Sequence, residues 1–328
     1  MAKLSKKSRL VSLVLMLLLC MALLGPAALA QNYPSRPITF IVPWAAGGGT
    51  DQVARILAVI LERELGQPVN VVNRDGGGGA VGHSAGANAR PDGYTITMAT
   101  VEIAMMHWMG LTNVTVNDFR PVGQVNFDPA GVTVAHSAPW QTLEELEEEI
   151  LANPGALRAS GTGRGGIWDL ARAGWLRTLG LPETALPWVP SAGAAPALQE
   201  LVAGGVDVVT SSLPEAASLI DAGRVRPLAI MGEQRDPMFP DVPTLIERGK
   251  DWSLGAWRGI MVPKNTPDQV VKVLEEAVAK AVKDETYVEF MKNNGFGIIW
   301  RDSEEFTDFA KKQDEMFGIL MKELGLAN

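Results

Sequence analysis

Apolar positions along this chain follow two alternating rhythms. Short β-branched runs give way to stretches in which apolar residues recur every three or four positions, the pattern of parallel strands joined by crossover helices. Strands are predicted at Ile38 to Val42, Val69 to Val72, Tyr94 to Ala99, Val132 to Ala135, Leu157 to Ser160, Leu186 to Val189, Val206 to Thr210 and Val225 to Met231. A helix from Asp51 to Leu65 carries Val53, Ile56, Leu57, Ile60 and Leu61 on one face and stops at Gly66. Others are predicted at Thr142 to Leu151, Ile167 to Leu179, Ala195 to Ala203 and Pro214 to Ala222. Near the end, Thr266 as cap and Pro267 at the first position open a helix through Val270, Leu274, Val278 and Ala281. A short strand, Phe296 to Trp300, precedes a last helix whose start, Asp302 with Glu305, reads as a capping box. No internal repeat or long flexible linker interrupts this order, so two lobes joined by short crossings fit the pattern.

The opening residues follow a different rule. Lys3, Lys6, Lys7 and Arg9 lead into an apolar run from Leu10 to Leu24, and Ala28-Leu29-Ala30 follows. This is the layout of a secretory signal peptide over residues 1–30, cleaved after Ala30, with an apolar core too short to span a membrane comfortably. Cys20 lies inside that core and follows Leu19 rather than the small residue of a lipobox. It is the chain's single cysteine, so the exported chain is expected to use no disulfide, thiolate metal site or cysteine nucleophile. Removing four of the 29 basic residues and none of the 37 acidic ones leaves a net charge of −12. A surface of that sign argues against nucleic acid or an anionic membrane as partner. A bound anion must then be held by local groups.

Two loops carry the candidate chemistry. Pro43-Trp44-Ala45-Ala46-Gly47-Gly48-Gly49-Thr50-Asp51 joins the first strand to the first long helix. Its glycines let the backbone approach a ligand, and the helix start offers unpaired N–H donors at a positive dipole end, a cradle for a carboxylate. The plainer reading is a strand-to-helix turn in which Thr50 or Asp51 caps the helix. No Gly-Lys-Ser/Thr follows, which excludes a P-loop. Ser160-Gly161-Thr162-Gly163-Arg164-Gly165-Gly166 also follows a strand and opens a helix. It fits Gly-x-Gly-x-x-Gly, but the next strand ends in Pro190-Ser191 rather than the acidic residue a dinucleotide site needs. A second carboxylate cradle suits the same glycines, with Arg164 either a bidentate clamp or a solvated surface residue.

Gly82-His83-Ser84-Ala85-Gly86 imitates a nucleophile elbow and leaves a secreted serine hydrolase using Ser84 as an alternative. That motif needs a strand immediately before the serine, and the glycine-rich Asp75 to Gly79 stretch intervenes. Three scattered histidines give metal ligation no support, and no cofactor is expected. Nine tryptophans against three tyrosines is an unusual ratio. Trp44 is the foremost candidate for a ligand wall and Trp168 the next.

Taken in order, several motifs resemble the solute receptors of tripartite tricarboxylate transporters, the Bug group. They are Tyr33-Pro34-Ser35-Arg36-Pro37-Ile38, Val42-Pro43-Trp44-x-Ala46-Gly47-Gly48-x-x-Asp51, Leu65-Gly66-Gln67-Pro68-Val69, Asn73-Arg74-Asp75-Gly76 and Pro91-Asp92-Gly93-Tyr94-Thr95. Val189-Pro190-x-x-Gly193-x-Ala195-Pro196-Ala197-Leu198, Gly205-Val206-Asp207 and Pro240-Asp241-Val242-Pro243-Thr244 extend the resemblance over essentially the whole exported chain.

The resemblance implies an α/β two-lobe periplasmic-binding-protein architecture of the type II, Venus flytrap kind, each lobe a mainly parallel sheet flanked by helices. Residues 31–130 with 256–328 would form lobe 1 and 131–255 lobe 2. It implies a periplasmic receptor that closes on a small carboxylate and delivers it to a large permease and a small membrane subunit; a monomer is expected, and a sensor that hands its ligand to a signalling partner would share the same features. Carried onto this sequence, its ligand loops are Trp44 to Asp51, Ser160 to Gly166, Ser191-Ala192-Gly193 and Ser211-Ser212. Relatives often carry Tyr-Lys in place of Ser191-Ala192, a histidine near Asp169, and Asp-Asn in place of Ser211-Ser212. Those departures keep the scaffold and leave the ligand's identity open.

Overall fold

Strand β1 (Ile38–Val42) lies between β2 (Val69–Asn73) and β3 (Thr95–Thr100) and runs parallel to both. It is covered on both faces, which is why Ile-Thr-Phe-Ile-Val does not simply alternate apolar with polar. The returns are α1 (Gly49–Leu65) and α2 (Ala80–Ala87). Helix α1 buries Leu57, Ile60 and Leu61 and ends at Gly66, whose φ of 66° lets its amide reach the carbonyl of Glu62 at 2.9 Å. These coordinates are a computed structural model and describe residues 33–327. The expected leader, with Cys20 and the Ala28-Leu29-Ala30 site, lies outside the described residues.

Beyond β3 the pairing becomes antiparallel. Strand β9 (Gly255–Pro263) lies between β3 and the long β4 (Phe119–Ala135). Residues 119–129 of β4 pair with β9, whereas 130–135 pair with β7 (Val208–Ser212) and β8 (Val225–Ile230). From β7 a parallel run continues through β5 (Ala159–Ser160) to β6 (Trp188–Val189). One strand therefore serves two sheets, each with a parallel run leading away from antiparallel partners. Helices α3 (Leu143–Ala152), α4 (Ile167–Thr178), α5 (Ala194–Ala203) and α6 (Leu213–Asp221) belong to the second sheet's stretch of chain. After β9 come α7 (Asp268–Ala281), α8 (Glu285–Asn293), β10 (Ile298–Arg301) antiparallel to β4, and α9 (Ser303–Glu323).

Phe40, Leu57, Ile96, Ile260, Leu274 and Tyr287 form the core against the first sheet. A larger core runs from Met105, Phe306 and Phe317 through Trp257 to Trp168, Trp175 and Leu186, so apolar packing spans both sheets.

Several expected elements change in extent. The strand expected at Val132 to Ala135 is the end of β4, whose earlier part carries Pro121, Gly123 and Pro129 and shifts register at Pro121/Gly123 and Gln124/Asn126. Every residue of β9 is buried, so it lacks the alternation that marks a half-buried strand. The helix from Thr266 begins one residue later: Pro267 is its cap, and the Thr266 hydroxyl donates to the Pro263 carbonyl at 2.8 Å. Helix α8 follows as a separate element, capped by Asp284. The capping box forms as expected, Glu305 donating its amide to Asp302 at 2.9 Å.

Candidate functional site

The loop after β1 and the loop after β5 face each other across a small, partly open chamber of about 20 Å³, room for roughly a single water. Helix starts surround it. Gly48, Gly49 and Thr50 come from α1, Ile167 and Trp168 from α4, and Gly193 and Ala194 from α5. Trp44 and Trp168 form its aromatic walls, 6% and 2% exposed. Thr162 completes the expected contributors, and its hydroxyl is buried without a hydrogen-bond partner among the described residues.

The helix starts do attract carboxylates, as their dipoles require, but the carboxylates belong to the protein. The Gly47 amide donates to Asp51 at 2.9 Å and the Gly49 amide to Glu215 at 3.1 Å. In the facing loop, the Gly165 amide donates to Asp169 at 2.8 Å and the Ile167 amide to Glu102 at 3.2 Å. Asp51 is thus a loop closer, tied also to Arg55 and Asn73. Burial alone would raise its pKa; the bonds from Arg55, Gly47 and Asn73 more than offset that and hold it below the usual carboxylate value.

Other expected positions stand further off. Ala46 and Gly47 border a separate outer pocket with Gln52 and Arg224. Arg164 is exposed and does not line the chamber. Gly163 packs against Gly78, so close that a Cβ built on it would stand 2.8 Å from the Gly78 Cα. Ser191 bonds the carbonyl of Gly193 at 3.0 Å, and the Ala192 carbonyl accepts the Ala45 amide across the chamber mouth at 3.4 Å. Ser211 and Ser212 are buried; Ser212 forms a capping box with Glu215 and so aims that carboxylate toward α1. Ser84 lies inside α2 with its hydroxyl 3.2 Å from that of Thr112.

The sequence reading missed Thr100, Glu102, Glu215, Ala256 and Arg258, all of which line the chamber. Arg258 is the hub. Its Nε donates to the Thr50 hydroxyl at 3.0 Å, Nη1 to Asn126 and Asp128, and Nη2 to Glu215 at 3.4 Å. Burial raises the carboxyl pKa of both Asp128 and Glu215, and the Arg258 charge works against that rise.

Glu102 is different. It sits in the 3₁₀ turn Val101–Ala104 just past β3, where a strand's carboxyl end meets the cleft. The Thr100 hydroxyl donates to it at 2.5 Å and itself accepts from the Trp44 indole at 3.2 Å. Thr100 is held in turn by its amide, which donates to His83 Nε2 at 3.1 Å, while His83 Nδ1 bonds the Gly79 carbonyl at 2.8 Å. Those partners require the neutral Nδ1–H tautomer. Full burial depresses the imidazole pKa to about 4. The signals in the sequence were single charges inside apolar runs: Glu102 in Ala99-Thr100-Val101-Glu102-Ile103-Ala104 and Arg258 in Ala256-Trp257-Arg258-Gly259-Ile260.

Similarity to known proteins extends over most of the chain. The family profile described as tripartite tricarboxylate transporter family receptor matches residues 53–326. A TctC solute binding protein from Polaromonas, solved with no ligand, is 37% identical, with 89% of this chain and 99% of that one covered at a TM-score of 0.64. The periplasmic binding protein BugD is 30% identical over 90% of this chain and 99% of its own, at a TM-score of 0.85. MatC from Rhodopseudomonas palustris, with bound malate, is 27% identical over 88% and 99%, at 0.79.

Proposed function

Because the chain belongs to the tripartite tricarboxylate transporter receptor family, we propose that it is a periplasmic receptor closing on a small carboxylate in the chamber between the starts of α1, α4 and α5. The convergence of these helix starts with two buried tryptophans is the observation that carries the reading. The malate held by the MatC neighbour supports the ligand class. Since internal carboxylates already occupy the Gly49 and Ile167 amides, the ligand's own carboxylate belongs at the remaining donors: the first-turn amides of α5 at Ala194, the Thr162 hydroxyl and the outer face of Arg258. From the expected loops Trp44, Gly48 to Thr50, Thr162 and Gly193 shape the walls, and Ser212 holds Glu215.

A chamber with room for one water is too small for malate, so capture requires residues 31–130 with 256–328 to rotate against 131–255. The pattern of similarity supports such a rotation: the 37% identical unliganded relative superposes less well than the 30% identical BugD. Export by a leader cleaved after Ala30 and delivery, as a monomer, to a large permease and a small membrane subunit complete the proposal. A thermal-shift screen of carboxylates tests it, since a ligand at about 100 times its Kd adds roughly 2.7 kcal/mol. Stabilisation by carboxylates and not by neutral sugars of similar size is the expected result; stabilisation by sugars alone would overturn the reading.

A further inference from the structure

Glu102 is a buried carboxylate, 2% exposed, in the wall of the chamber. It takes part in no ion pair among the described residues, whereas Asp128 and Glu215 share Arg258. Its bonds come from the Thr100 hydroxyl, the Ile167 amide and its own backbone amide, all neutral donors, against about four acceptor sites on a carboxylate. Burial raises its pKa, because an isolated charge in such a place is costly unless something pairs with it. Arg258 spends four of its five N–H donors on Thr50, Asn126, Asp128 and Glu215 and neither bonds nor pairs directly with Glu102, which it reaches only through space. Thr162 supplies an independent sign of a missing partner, because it borders the same chamber with a buried hydroxyl that bonds nothing among the described residues. No three His, Cys, Asp or Glu side chains among the described residues are grouped to hold a metal ion. A hydrogen-bonding organic cation would complement this wall.

We propose that Glu102 is the subsite for a protonated nitrogen, so that the receptor takes amino-carboxylates in preference to plain dicarboxylates. The inference rests on the carboxylate reading above and narrows it. In the bound complex the cationic nitrogen donates to the open side of Glu102, and the ligand carboxylate lies toward Thr162 and the start of α5. A plain dicarboxylate would place a second anion beside Glu102 and gain nothing there.

The test is calorimetric titration of the full exported chain with matched pairs: succinate against aspartate, glutarate against glutamate and 4-aminobutyrate, and benzoate against aminomethylbenzoate, with 1,4-diaminobutane as a cation without a carboxylate. The amino member of a pair should bind at least about tenfold more tightly than its plain partner, a difference of about 1.4 kcal/mol. In Glu102→Gln, which keeps shape and loses charge, that preference should vanish while the ligand-free melt stays cooperative; Glu102→Asp should retain it in part. Equal or tighter binding of the plain acids overturns the inference and leaves the carboxylate receptor standing. Binding of 1,4-diaminobutane alone keeps Glu102 as a cation subsite and overturns the carboxylate reading, and binding of neither class overturns both.

Discussion

Glu102, at the end of β3, accepts the amide of Ile167, at the start of α4, at 3.2 Å, and so joins the wall of one sheet to the helix start of the other. Helix dipoles explain why an acid sits there. The same rule places Glu215 on Gly49 from the opposite direction. The anion cradles exist, and the chain fills them from within.

Gly49 and not Gly48 is the glycine the packing demands. A Cβ on Gly49 would stand 2.8 Å from Arg258 Nη2 and 2.8 Å from the Glu215 carboxylate, whereas one on Gly48 meets only the Ala45 carbonyl at 3.6 Å. Gly49→Ala should cost about 1 to 3 kcal/mol in urea unfolding, the usual range for overpacking. Gly48→Ala should stay within about 0.5 kcal/mol, the ordinary range for a substitution away from such features. Similar losses for both would show that the Glu215–Arg258 arrangement does not lie against Gly49.

The junction around Gly49 was legible because a β-branched run, a glycine loop and an amphipathic helix follow one another there, and because Gly66 marks the helix end. Strand β9 was not. Buried on every side, its Ala256-Trp257-Arg258-Gly259 carries no alternation that would mark Arg258 as part of a strand. Pro121 and Pro129 hid most of β4 for the opposite reason: they signal a break, yet bulged, edge-like pairing accommodates them. The position of Glu102 was unreadable because a four-residue 3₁₀ turn leaves no periodicity, and its partner Ile167 lies 65 residues away. Sequence order could identify the loops that meet; it could not say which acids would occupy their amides.

Arg258 neutralises two buried acids at once. Arg258→Met should therefore destabilise by about 3 to 5 kcal/mol, the cost of leaving a buried ion without its partner. Adding Asp128→Asn and Glu215→Gln should recover a large part of that loss in denaturant midpoint. No recovery would mean that the packing of the guanidinium, rather than its charge, is what matters.

His83 gives the fold a pH dependence of known sign. Its imidazole is neutral when folded, with a pKa near 4 against 6.5 in the unfolded chain. The unfolded state then binds the extra proton, so stability falls as pH drops from about 6.5 to about 4 and levels off below, by up to about 3 kcal/mol. In His83→Gln, which can still donate to Gly79 and accept from Thr100, the difference in stability from the parent chain should shrink steadily over that range. Parallel pH profiles for the two proteins would place the acid sensitivity elsewhere.

Gly163 lies against Gly78 with no room for a side chain. Gly163→Val should hold the lobes apart, raising the radius of gyration in small-angle scattering and weakening ligand binding at least about tenfold, a loss of roughly 1.4 kcal/mol. Unchanged scattering and affinity would show that the two glycine loops need not meet for capture.

The most direct measurement is a crystal structure of the exported chain with the tightest-binding member of the carboxylate screen. The ligand should lie between Trp44 and Trp168, its carboxylate at Thr162 and the start of α5, within reach of Glu102 and Arg258. A ligand lodged instead in the outer pocket beside Gln52, Leu198 and Arg224, with the inner chamber still closed, would contradict the account.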